Sequence, residues 1–235
     1  DERAADITIV NTCGFIDSAK EESINNILEM AKYKDGNCEV LIVTGCLAQR
    51  YKDEVIKEMP EVDAVIGTGE YGEIDKVIQN IYNGKIKCYT NLNDRDNIKY
   101  LNEERVLSTK NGYAYLKIAE GCDNFCTYCI IPSLRGPYRS RKIEDIKKEA
   151  GILAEKGAKE IILIAQDVTS YGKDIYGEKR LVRLIREISE IDKIEWIRLL
   201  YCYPEEIDDA LIEEISTNNK IVKYLDIPIQ HASDD

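Results

Sequence analysis

Apolar positions along the chain fall into two patterns, short continuous runs and longer stretches with helical spacing, and the two alternate. Residues 6–12, DITIVNT, form the first run and predict a buried strand. Residues 17–36, DSAKEESINNILEMAKYKDG, carry the spacing of a helix, with Asp17 or Ser18 near its cap and Gly36 beyond its end. A second run at 39–45 precedes a predicted helix at 49–59, and a third at 63–67 precedes one at 71–82. Strand and helix in alternation point to a parallel sheet, so residues 1–90 are expected to form a doubly wound α/β domain. Residues 91–112 turn polar and lose periodicity, which predicts a linker. The alternation then restarts, with strands at 113–120, 159–167, 195–204 and 223–230 and helices at 143–156, 181–191 and 207–217. That second series, 113–235, reads as a partial (β/α) barrel. It stops after a strand with no helix to cover it, so the chain is expected to be part of a longer one.

Composition narrows the setting. The 235 residues are 44% hydrophobic and 32% charged, enough to build one or two globular cores. No apolar run is long enough to cross a bilayer, and no basic-then-apolar signal segment opens the sequence. A cytoplasmic protein without a membrane partner is expected. A net charge of −12 argues against holding DNA by bulk electrostatics and suits a basic protein partner. Eight cysteines without a secretory signal point to a reducing compartment, where thiols serve metals or catalysis more often than disulfides.

Only one tight cluster occurs among them: Cys122, Cys126 and Cys129, spaced C-x3-C-x2-C within GCDNFCTYC, directly after a predicted strand. Thiolates on a loop can wrap a zinc ion or an iron–sulfur cluster. A closed zinc site wants four ligands, and the sole histidine, His231, lies far downstream. Three thiols for four irons would leave one iron open. A zinc-binding or metal-free structural module is the alternative of another class.

Three cysteines so spaced on the first loop of an α/β barrel resemble the radical S-adenosylmethionine enzymes. The resemblance implies a 4Fe-4S cluster whose open iron chelates S-adenosylmethionine, and cleavage of that cofactor to a 5′-deoxyadenosyl radical that abstracts hydrogen from an unactivated carbon. Tyr128 resembles the aromatic that this superfamily sets near the adenine, and fits equally a loop residue packing on the cluster. Cys13 and Cys46 occupy equivalent places beyond two predicted strands, where two thiols could reach one metal centre or serve as small apolar residues. With NTCGFIDSAKEES and VTGCLAQRY beside the cysteine loop, nearly the whole chain is similar to the methylthiotransferase family. That likeness implies an N-terminal domain with a second 4Fe-4S cluster, a radical barrel and a small C-terminal substrate domain. Cys13 and Cys46 would be two of three ligands of the second cluster, the third family cysteine lying upstream of the first strand, before Asp1. The chain is therefore expected to be incomplete at both ends and inactive alone, with Cys38, Cys88 and Cys202 in packing roles.

The family has two branches, one acting on an adenosine of transfer RNA, the other on the β-carbon of an aspartate in the twelfth protein of the small ribosomal subunit. CGFIDSAKEES, LIAQDVTSYGKDIYG, IRLLYCYP and YLDIPIQHASD resemble the ribosomal branch; the transfer RNA branch carries GQN where this chain has Gln166 and Asp167. The implied chemistry consumes one S-adenosylmethionine for methyl and another for the radical, with an external electron donor. Tyr128, Gln166 and Arg141 are the candidate cofactor contacts. Arg135 and Arg139 are weaker candidates for pairing with a carboxylate, and Asp167 could equally cap the next turn. The repeated YG around Tyr171 and Tyr176 reads as a surface loop first and a substrate lip second. No acid, base or nucleophile is assigned.

Overall fold

The computed structural model describes residues 4–84, 97–103, 105–107 and 112–228. Two compact units are present: residues 1–100 with 125–136, and residues 101–124 with 137–235.

In the first unit, β1 (Ile7–Thr12), β2 (Val40–Gly45) and β3 (Ala64–Ile66) pair in parallel in the order β1-β2-β3. Every residue of β2 is buried, as its near-continuous apolar run VLIVTG predicts for a strand covered on both faces. Leu41, Val43 and Val65 pack with residues of α1 (Asp17–Ala31) and α2 (Cys46–Glu58), whereas Val40, Ile42 and Ile66 pack with α3 (Ile74–Tyr82). Complete burial of each Leu, Ile or Val stabilises the unit by roughly 1.5–3 kcal/mol, and Thr44 is the one polar side chain in this central run.

In the second unit, β4 (Gly112–Lys117), β7 (Ala158–Ile164), β8 (Trp196–Leu199) and β9 (Ile221–Leu225) form a parallel sheet in sequential order. The short strands β5 (Ala119–Glu120) and β6 (Arg139–Ser140) make a separate antiparallel ladder, and α4 (Ile131–Arg135) lies between them in the chain. Ala114, Leu116, Ile161, Leu163, Ile197 and Leu199 form one core with α5 (Ile143–Glu155), α7 (Leu181–Ser189) and α8 (Asp209–Thr217). Tyr113, Tyr115, Trp196 and Tyr224 are exposed. Helices on one face of sequentially ordered parallel strands are the arrangement of part of a (β/α) barrel. The four-residue helix α6 (Lys173–Tyr176) follows β7.

Several boundaries differ from the pattern. The first helix ends at Ala31 and continues as a tight turn over Lys32–Asp35, with Gly36 beyond it; Asp17 lies next to the N-cap as expected, the cap itself being Ile16 with no side-chain bond. The second helix starts at Cys46, three residues early. β8 and β9 are shorter, and β9 lies earlier, than the apolar runs implied, because apolar residues continue past the last ladder bond. β5, β6, α4 and α6 are too short to carry a periodicity. Much of the expected linker, together with Cys88 and His231, lies outside the described residues; Lys99–Asn102 within it form a single tight turn.

Candidate functional site

Cys13 and Cys46 are brought to neighbouring strand ends. The last β1–β2 pair is Thr12 with Gly45, and the two cysteines are the next residue on each strand. Cys13 is exposed and Cys46 half-buried at the start of α2. Ser23, on α1, holds the first: the Cys13 N–H donates to Ser23 Oγ at 3.0 Å, and that hydroxyl donates to the Cys13 carbonyl at 3.1 Å. Thr12 Oγ1 donates to the Thr44 carbonyl at 2.5 Å, and Arg50 Nη1 to the Gly14 carbonyl at 3.2 Å. Arg135, read as a partner for a carboxylate, instead donates from Nε to Cys46 Sγ at 3.3 Å.

The second thiol group lies on backbone with neither helix nor strand. Cys122 follows β5 and Gly121, whose φ is 83°. Cys126 and Cys129 share a turn, the Cys129 N–H donating to the Cys126 carbonyl at 2.9 Å. All three thiols are half-buried, and none of the described cysteines is in a disulfide. Tyr128 stands 69% exposed among them. Among the described residues no three His, Cys, Asp or Glu side chains are gathered closely enough to hold one metal ion. Three thiols are nevertheless soft donors of the kind that holds an iron–sulfur cluster.

Gln166 and Arg141, expected as cofactor contacts, have protein partners. Gln166 Oε1 accepts from the Gly121 N–H at 2.8 Å, and Gln166 Nε2 donates to Glu120 Oε1 at 2.9 Å. Arg141 is 4% exposed; it donates to the Lys117 carbonyl at 2.7 Å and to Asn102 Oδ1 at 3.1 Å, and pairs with Glu149 at 2.7 Å. Through Nε and Nη1 it ties β4 to α5 and to the Lys99–Asn102 turn. Arg139 donates to the Pro137 carbonyl at 2.6 Å.

Tyr171 overturns the surface-loop reading. It is fully buried and donates to the Arg141 carbonyl at 2.7 Å, while Tyr176, on α6, is partly exposed. Burial is the main cause that pushes the Tyr171 phenol above its ordinary range. Burial does the same to Tyr138, reinforced by the carboxylates of Asp167 and Asp174. Tyr138 and Asn124 are residues that sequence reasoning missed; both bond to Asp167, and only the DVT turn hinted at the capping half of that carboxylate's role. Cys38 and Cys202 are core residues, and burial pushes the Cys202 thiol up to about 12.

Residues 1–67 match the uncharacterized protein family UPF0004, and residues 116–235 match the radical SAM superfamily. A ribosomal protein uS12 methylthiotransferase RimO from Acetivibrio thermocellus is 66% identical over 100% of this chain and 53% of its own length. The protein of the same name from Clostridium tetani is 56% identical over 100% of this chain and 52% of its own. This chain thus spans about half the length of the curated relatives it matches. Among solved structures, the radical S-adenosylmethionine methyltransferase TsrM from Kitasatospora setae, with tryptophan and a SAM analogue bound, has a TM-score of 0.58 at 13% identity, covering 83% of this chain and 42% of that one. A second structure of TsrM, with cobalamin and a 4Fe-4S cluster, gives 0.57 at 15% identity over 82% of this chain and 43% of that one. At such identity the likeness is one of fold. With more than half of its residues matched by that model, on the half that carries the C-x3-C-x2-C loop, the chain belongs to the radical SAM superfamily.

Proposed function

We propose that this chain is the thiol-bearing part of a cytoplasmic methylthiotransferase that adds a methylthio group to the β-carbon of an aspartate in ribosomal protein uS12. The observation that carries the reading is the 66% identity, across the whole chain, to a protein named for that activity. Cys122, Cys126 and Cys129 would hold a 4Fe-4S cluster with S-adenosylmethionine, and Cys13 and Cys46 would contribute to a second cluster. When bound, such a group supplies one-electron chemistry for removing hydrogen from an unactivated carbon, given an external electron donor.

The chain's own residues prepare that site. The bond from Gly121 to Gln166 fixes the entry to the cysteine loop, and Ser23 fixes the backbone of Cys13. Arg135 offers a donor to Cys46 sulfur, a bond that lowers the electron density on a ligating thiolate. No helix among the described residues is long and apolar enough to cross a membrane.

Anaerobic reconstitution with iron and sulfide tests the metal assignment. About four irons per chain should disappear with Cys122→Ala, Cys126→Ala and Cys129→Ala combined, and a further group should depend on Cys13 and Cys46. Zinc at unit stoichiometry would overturn it. The substrate is tested by incubating the complete enzyme with uS12 or transfer RNA and weighing the products; methylthiolation of RNA alone would move the activity to the other branch.

A further inference from the structure

Both ends of the cysteine loop within the second unit are tied to one segment, residues 165–176, that follows β7. At the entry, Gly121 bonds to Gln166, and Asn124 Nδ2 donates to Asp167 Oδ2 at 3.1 Å. At the exit, the Tyr138 hydroxyl donates to the Asp167 carbonyl at 2.7 Å, and Ser140 donates from N and Oγ to the Asp174 carboxylate at 2.8 and 2.6 Å. Entry and exit also meet directly, the Tyr138 N–H donating to Asp123 Oδ1 at 3.1 Å.

Asp167 is the centre of this arrangement and is 2% exposed. Its Oδ1 accepts from the Thr169 N–H at 3.0 Å and Thr169 Oγ1 at 2.5 Å, and its Oδ2 accepts from Ser170 Oγ at 2.7 Å as well as from Asn124. Four donors converge on a side chain with two acceptor oxygens, which only a carboxylate satisfies in full. The turn over 167–170 accounts for three of them. The fourth comes from the residue two places beyond Cys122.

We infer that Asp167 is a positioning residue for the cysteine loop: through Asn124 it fixes the backbone just after Cys122, so that this thiol is set in place before any metal binds. The consequence for a cluster rests on the proposed function, whereas the positioning itself rests on the bonds above. Fixing the Cys122 end in advance reduces the entropy that metal binding must remove from the loop.

Asn124→Asp sets a carboxylate against the Asp167 carboxylate, so acceptor meets acceptor and no amide flip restores the bond. Adding Asp167→Asn keeps one oxygen for Thr169, turns the other position into an amide donor and restores the pair in the opposite sense. The rate of Cys122 alkylation in the metal-free chain, with Cys13 as internal reference, is expected to rise about tenfold in Asn124→Asp and to return close to the parent value in the double variant. Iron release from the reconstituted chain to a chelator should follow the same order. Asn124→Ala, a change at a half-buried loop position, should speed alkylation in the same direction without placing a second charge beside Asp167. Unchanged Cys122 rates in Asn124→Ala, or a double variant no slower than Asn124→Asp, would overturn the inference. A chain that binds no iron but shows the expected alkylation order would overturn the metal assignment and leave the positioning role standing.

Discussion

Gly45 holds the backbone between two candidate ligand strands, and replacing it by alanine is the sharpest perturbation of the first unit. Its φ of 97° and ψ of −160° belong to a region that is essentially closed to residues with a Cβ, at a cost of about 1–3 kcal/mol. The added carbon would also collide with the Thr12 carbonyl oxygen and stand 2.6 Å from Asn11 Oδ1 and 2.7 Å from the Thr12 nitrogen. Two of those three atoms are backbone, which cannot swing aside, so β1 must move away from β2; overpacking of this kind costs about 1–3 kcal/mol more. Together these give a loss of roughly 2–6 kcal/mol. Gly14 provides the control, because its Cβ would meet the Leu47 nitrogen at 2.9 Å without an unusual φ, so Gly14→Ala should lose less. Hydrogen–deuterium exchange read on peptides 7–12 and 40–45 reports the unit by itself. A loss of even 2 kcal/mol should speed exchange about thirtyfold. Exchange in Gly45→Ala indistinguishable from the parent, or slower than in Gly14→Ala, would refute the steric reasoning.

Alkali should destabilise the second unit. Burial holds the phenols of Tyr138 and Tyr171 protonated in the folded state, with carboxylates of Asp167, Asp174 and Glu144 adding to it and Arg141 opposing at Tyr171. Both raised values mean that the stability is present below the ordinary tyrosine value of 10.0 and is lost as pH rises above it, because the unfolded chain releases protons that the folded one keeps. Denaturant midpoints measured from neutral to alkaline pH should fall, and the fall should be shallower with Tyr138→Phe and Tyr171→Phe combined; an equal slope in that variant would count against the account. A brief alkylation of the native chain should label Cys13 and spare Cys38 and Cys202, the last held protonated by burial and by the nearby Asp167 and Asp226. Labelling of Cys202 as fast as Cys13 would contradict its burial.

Local patterning was enough for the main elements. The run VLIVTG, apolar but for Thr44, was predicted as a strand and is buried on both faces, whereas the predicted strand YAYLK alternates exposed Tyr113 and Tyr115 with buried Ala114 and Leu116. The two sheets differ in just that way. The thiols were equally legible, since spacing and position after a strand are properties of the chain itself. What surrounds them was not. Arg141, just past the cysteine loop, and Gln166, at the end of a barrel strand, were read as cofactor contacts, and no local pattern announced that they also bond to Glu149 and Glu120.

Tyr171 shows the limit most plainly. Flanked by glycine and charge it reads as surface, but its ring is fully buried and its hydroxyl reaches the Arg141 carbonyl, thirty positions earlier in the chain. Asp167 likewise meets Asn124 across forty-three positions. The sequence by itself determined which segments become strands and helices, and where the thiols lie relative to them, because periodicity and spacing act over a few residues. The tertiary structure alone decided which polar groups hold the cysteine loop, because a hydrogen bond between distant segments depends on strand order and register, and no local pattern encodes either.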